Sequence, residues 1–163
     1  TGSRFVPTSE PHMLSEVFPH LCNGKMVRDP RAAEWTRGFV VGGRREGAGV
    51  RLKAAFCAAV MDWCLAQGVT RVGGIQDEHW LALWRRFGWH VEITGHRSKF
   101  GDDWWVPAYF DVSEAAAAGA RRWAKLDNSI LVERGTITPF VREDDVFWAG
   151  GVTEINVEVS HAV

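Results

Sequence analysis

The sequence predicts an α/β domain, a mixed central sheet flanked by helices. Three observations carry that prediction. Strand-patterned segments alternate with helix-patterned ones along the chain. Residues 50–66 repeat apolar side chains at i, i+3, i+4 and i+7, the pattern of a core-facing helix. The length of 163 residues, 46% of them hydrophobic, suits one domain that buries roughly two-thirds of its unfolded surface around a single core.

The elements follow in order. Arg4-Phe5-Val6 is a short extended stretch stopped by Pro7, and residues 13, 14, 17, 18 and 21 have a helical spacing interrupted by Pro19, which predicts one or two turns. Residues 34–41 read as a strand, with Trp35, Phe39, Val40 and Val41 as its β-type side chains. A loop over 42–49 leads into the long helix, which Gly68 closes. Residues 69–75 are a second strand. Asp77 caps a helix in which Trp80, Leu81, Trp84 and Phe87 recur, and Gly88 ends it. Strands follow at 89–93 and 104–112, and then an alanine-rich helix opened by Ser113 and Glu114 runs to about Lys125. Residues 127–163 are poorly periodic, with 157–163 as a candidate extended tail.

Composition narrows the function. Nineteen basic and 20 acidic side chains leave a net charge of -1, against the basic surplus of nucleic-acid proteins. Nine Trp and nine Phe beside one Tyr favour a packed core with an apolar pocket. Cys57 and Cys64 would lie about 10 Å apart on one helix, too far for a disulfide. Three unpaired cysteines and no secretory or membrane-length apolar run point to a cytoplasmic protein. The six histidines show no metal-ligand spacing, so no metal is expected. The cysteines have no neighbouring base, which speaks against a thiol nucleophile.

Two motifs stand out. Arg44-Arg45-Glu46-Gly47-Ala48-Gly49 joins a strand to a helix, where glycines and unpaired helix N–H groups can hold a pyrophosphate, though an ordinary surface loop has the same look. Glu34-Trp35-Thr36-Arg37 places two charges in an otherwise apolar strand, with Glu34 and Thr36 on one face and Trp35 and Arg37 on the other.

Three ordered motifs resemble the acyl-homoserine-lactone synthases, the LuxI-type autoinducer synthases of bacterial quorum sensing. They are Arg4-Phe5-Val6-Pro7-Thr8, then Val17-Phe18-Pro19, then Glu34-Trp35-Thr36-Arg37, and Arg86-Phe87-Gly88-Trp89 is similar to a later one. The resemblance covers about residues 4–112 of this single domain, 1–163. Its Trp-rich strands look most like the rhizobial branch, which uses acyl-coenzyme A.

It implies an N-acetyltransferase-like fold and an acyltransferase that acylates S-adenosylmethionine from an acyl thioester. Lactone closure then releases methylthioadenosine. The substrates would be S-adenosylmethionine and acyl-coenzyme A, or an acyl-carrier protein as the alternative donor. No prosthetic group, nucleic-acid partner or membrane partner is implied.

On the same resemblance Arg4 or Arg37 grips the S-adenosylmethionine carboxylate. Glu34 either accepts the amine proton or forms an ion pair that orients Arg37. Phe18, Trp35 and Thr36 line the site, and Arg44, Gly47, Ala48 and Gly49 hold the pyrophosphate. Gly74 falls where members handling 3-oxo chains tend to have a hydroxyl residue, which favours an unsubstituted, branched or aromatic acyl group. Trp80, Trp84 and Trp104 are acyl-pocket candidates, with plain core packing as the other reading. The family's opening segment has no counterpart here, and the chain begins without Met. A front segment is therefore expected to be absent from this sequence. The rival functions are a general N-acyltransferase acting on another amine and a non-catalytic ligand-binding remnant.

Overall fold

The computed structural model describes residues 1–24, 26–39, 48–135, 138–141 and 153–156. The elements are β1 (Gly2–Pro7), α1 (Met13–Glu16), β2 (Ala32–Phe39), α2 (Ala48–Ala66), β3 (Arg71–Asp77), α3 (Glu78–Arg86), β4 (Val91–Ile93), β5 (Ser98–Phe100), β6 (Asp103–Asp111), α4 (Glu114–Ala124) and β7 (Thr153–Asn156). A 3-10 turn at Pro19–Leu21 follows α1. Among the described residues the strands form one sheet in the order β4-β6-β3-β2-β1-β7, with β5 also on β6. β2 and β3 run parallel and the other pairs run antiparallel.

Two layers cover the sheet. α2, α3 and α4 bury Phe5, Ala33, Trp35, Val72 and Phe110 on one face. Their capping is the one the sequence predicts: Asp77 accepts from His79 N–H, and Ser113 from Ala116 N–H. Trp84 is the hub of this layer, in ring contact with Trp35, Trp80, Trp89 and Phe110. On the opposite face α1 and the turn after it cover a smaller cluster of Leu14, Leu21, Ile75 and Tyr109.

The feature that matters for function is where the parallel pair stops. β2 and β3 pair from Ala32↔Arg71 to Glu34↔Gly73 and no further. Beyond that point residues 35–39 stay with β1, while residues 74–77 stay with β6. Two backbone features accompany the divergence. Gly74 has φ +127°, a conformation that side chains rarely adopt, and Arg37 has φ +52° at a register shift between β1 and β2. The facing edges of the diverged segments have no strand partner among the described residues.

Several boundaries differ from the pattern. β2 starts at Ala32, and β3 starts at Arg71 because Thr70 is tied to the Arg31 carbonyl in the preceding loop. Trp89 is a core plug whose indole N–H donates to the Ala116 carbonyl, leaving only residues 91–93 as a strand. β5 has no clear apolar alternation. It forms because Gly101 (φ +62°) and Asp102 make a two-residue hairpin that pairs Phe100 with Asp103. β7, in the aperiodic tail, adds to the free edge of β1. Val40, Val41 and the candidate tail at 157–163 lie outside the described residues.

Candidate active site

The antiparallel β1–β2 ladder assembles the first part of the site. Its register sets Val6 opposite Glu34 and Arg4 opposite Thr36, which puts Arg4, Glu34 and Thr36 on the face that α1 covers. Glu34 is 1% exposed. Its two carboxylate oxygens accept from Met13 N–H at 2.8 Å and from Leu14 N–H at 2.7 Å. These are first-turn N–H groups, for which the helix itself has no acceptor. Arg4 is half-buried, and its Nε is buried with no hydrogen-bond partner among the described residues.

Arg37 is exposed at the bulge and is not paired with Glu34. The ion pair with Arg37, one of the two roles expected of Glu34, is therefore replaced by the clasp on α1. The reason is local: in a strand residues 34 and 37 face opposite ways, and the bulge turns Arg37 outward. Phe18 lies just past the C-cap of α1, Val17, and meets Phe100 edge-on at 5.2 Å, in the small cluster with Tyr109. Burial, and then the negative charge of Glu34, push the Tyr109 hydroxyl up and keep it protonated.

Trp35 projects to the other face. It is 6% exposed and packs on Phe5, Phe56 and Trp84 directly behind the opening between β2 and β3. Trp80 is half-buried, stacked on Trp84 at 5.8 Å with Lys53 Nζ over its ring. Trp104 stays outside this stack, 37% exposed beneath the Arg97 guanidinium. Of the candidate pyrophosphate loop, Arg44 and Gly47 lie outside the described residues, and Ala48 and Gly49 form the first turn of α2.

The cysteines behave as core residues. Burial pushes Cys57 up to about 12 despite the nearby Lys53 charge, and it raises Cys64 and Cys22 as well. A hollow of about 790 Å3 lined by Asp62, Leu65, Arg121 and Leu131 lies between α2, α4 and the segment after α4, on the opposite side of the sheet from Arg4 and Glu34. Among the described residues no helix is long and apolar enough to cross a membrane. What sequence reasoning missed is the backbone of residues 13 and 14 as the partner of Glu34, and Tyr109 beside it. The paired glycines 73 and 74 inside a strand were the available signal.

A mixed sheet opened along the one parallel pair among the described residues, with helices on both faces, defines an N-acetyltransferase-like scaffold. The chain belongs to the autoinducer synthase family, which it matches over residues 1–118. It is 38% identical over 112 residues to the isovaleryl-homoserine lactone synthase of Bradyrhizobium diazoefficiens, a stretch covering 68% of this chain and 50% of that protein. The CoA-dependent acyl-homoserine lactone synthase BjaI, solved with MTA and with SAM and isopentyl-CoA, is 31% identical with a TM-score of 0.75, over 85% of this chain and 64% of BjaI. MesI, another CoA-dependent synthase, is 27% identical with a TM-score of 0.73, over 81% of this chain and 66% of MesI. The acyl-homoserine lactone synthase LasI, at 20% identity and a TM-score of 0.65, shares the fold. This chain thus spans about half the length of the curated relative it matches.

Proposed function

We propose that this chain carries the acyl-transfer site of an acyl-homoserine-lactone synthase working on S-adenosylmethionine and an acyl-coenzyme A, in the cytoplasm where both substrates are made. The observation that carries the reading is Arg4, a guanidinium whose Nε is buried without an acceptor among the described residues, one register step from Glu34 and next to the opened strands. A substrate carboxylate is the natural acceptor for such a group. In the reaction the methionyl amine attacks the thioester carbonyl, the carbon–sulfur bond breaks, and coenzyme A leaves as the thiol with the amine's proton. One carboxylate oxygen then attacks the γ-carbon, breaking its bond to the sulfonium and releasing methylthioadenosine with the lactone.

The open peptide edges of residues 35–39 and 74–77 suit an extended amide-bearing arm such as pantetheine. Behind them Trp35 packs on Phe56 and Trp84 at centroid distances of 5.7 and 5.8 Å, a closed apolar floor against which the acyl group would rest. Trp80 closes the side of that stack. Arg37 and Thr36 sit at the mouth to meet the polar end of the substrate, and Ala48 and Gly49 at the start of α2 meet the coenzyme A pyrophosphate, with Arg44 and Gly47 just before them in sequence. The relatives bound to SAM, MTA and isopentyl-CoA support the choice of substrates.

The test is to incubate the full natural chain with S-adenosylmethionine and a panel of acyl-coenzyme A and acyl-carrier-protein donors. Release of methylthioadenosine with an acyl-coenzyme A is expected. Methylthioadenosine with acyl-carrier protein alone would move the donor assignment. Coenzyme A release without methylthioadenosine would mean a different amine, and no product with any donor would end the reading.

A further inference from the structure

The role of Glu34 is decided by what its carboxylate touches. It sits at the last rung of the parallel pair, opposite Gly73, where β2 and β3 part. From that apex it reaches away from the ladder to the α1 backbone, and both oxygens are engaged there at 2.7 and 2.8 Å. Phe18 N–H is bonded to the Met13 carbonyl, so whatever fixes residues 13 and 14 also fixes the Phe18 wall.

Gly74 completes the arrangement from the other strand. A Cβ there would come 2.8 Å from Glu34 Cγ and 3.5 Å from Oε1. The space that a side chain at 74 would occupy is therefore already taken by the clasping glutamate, and φ of +127° would strain any other residue as well.

We infer that Glu34 is a positioning residue, a clasp from the apex of the splayed strands to the first turn of α1, and that in this chain the clasping side chain takes the space beside Gly74. This deepens the proposed function and rests on it for its kinetic consequences. Glu34 then acts through α1 and Phe18, and the amine proton leaves without it. Substitution at 74 disturbs the clasp and so affects every acyl donor alike.

The prediction is tested in the full natural chain with Glu34→Gln and Gly74→Ala. A glutamine can accept from one of the two N–H groups, but it turns its own NH2 toward the other. Glu34→Gln should lower kcat/KM by about ten- to a hundredfold, the range for losing one charged hydrogen bond. Both limbs of its pH–rate profile should stay in place, and amide exchange at Met13 and Leu14 should quicken at least about tenfold by the same energy scale. Gly74→Ala should lower kcat/KM for all acyl-coenzyme A donors in the same ratio. It should cost less in a Glu34→Ala background, where the clash is gone and only backbone strain remains.

Loss of one pH limb in Glu34→Gln with unchanged exchange at residues 13 and 14 would restore the general base and overturn the clasp. A Gly74→Ala enzyme that changes its preference among acyl donors would overturn the reading of residue 74. Should the wild-type chain release no methylthioadenosine, the proposed function fails separately, and exchange at Met13 and Leu14 still decides the clasp.

Discussion

Arg4→Met separates the two consequences of a half-buried arginine whose Nε has no partner among the described residues. The Arg4 Nε is buried and lacks an acceptor among the described residues, and a buried unsatisfied donor costs about 1–3 kcal/mol. Methionine keeps the unbranched apolar stem and removes the donor. The substrate-free variant should therefore be about 1 kcal/mol more stable, a rise in Tm of about 2–4 °C for a domain of this size. The opposite should happen to activity. A guanidinium holding a carboxylate makes charged hydrogen bonds worth about 1.5–3 kcal/mol each. Losing the pair should therefore lower kcat/KM for S-adenosylmethionine by about a hundredfold or more. Thermal unfolding without substrate, and methylthioadenosine release at varied S-adenosylmethionine, measure the two effects on one preparation. A variant less stable than wild type with an unchanged KM for S-adenosylmethionine would show that Arg4 is a structural residue, and the stated basis of the proposed function would go with it.

Three further outcomes follow from the packing. Trp84→Ala should cost about 3–5 kcal/mol, since Trp84 is 2% exposed and in ring contact with four other aromatics. Trp104→Ala should cost about 1 kcal/mol or less, since that ring is mainly a platform for Arg97; urea midpoints that rank the pair the other way would contradict the assigned core. Gly119→Ala should destabilise by more than about 1 kcal/mol, because its Cβ would fall 1.8 Å from the Phe87 carbonyl oxygen, which belongs to backbone; an unchanged midpoint would show that α4 can move away at little cost. Stability should also fall as pH rises above 9, because Cys57 is raised from 9.0 to about 12 by burial. The unfolded chain then loses its proton first, so this contribution is complete below pH 9 and declines up to about 12. A Cys57→Ala variant with the same alkaline loss would assign that loss to other groups.

Much of the fold was legible because it rests on local rules. The 50–66 helix, the Asp77 and Ser113 caps and the glycine stops at 68 and 88 are each set by neighbours a few residues away. Glu34 was legible as a charge out of place in an apolar strand, and Arg4 and Phe18 through the ordered motifs that resemble the family. β5 and β7 were not. One depends on a two-residue turn and the other on a long-range pairing with β1, and neither leaves a periodic trace.

The division between what the sequence and what the fold decided is clearest at Glu34. Its position in the strand and the family of the chain could be read from residues alone, because hydrophobic patterning and ordered motifs are written along one dimension. Its partners could not. The nearest candidate in sequence was Arg37, three residues on, yet the carboxylate closes on the backbone of residues 13 and 14 and rests against Gly74. Peptide N–H groups have no residue signature, so which ones a side chain finds is settled only when β1, β2 and β3 come together and α1 is laid across them. The same holds for the opening between β2 and β3, which comes from pairing that stops at Glu34 and Gly73, a property of two strands together and of neither alone.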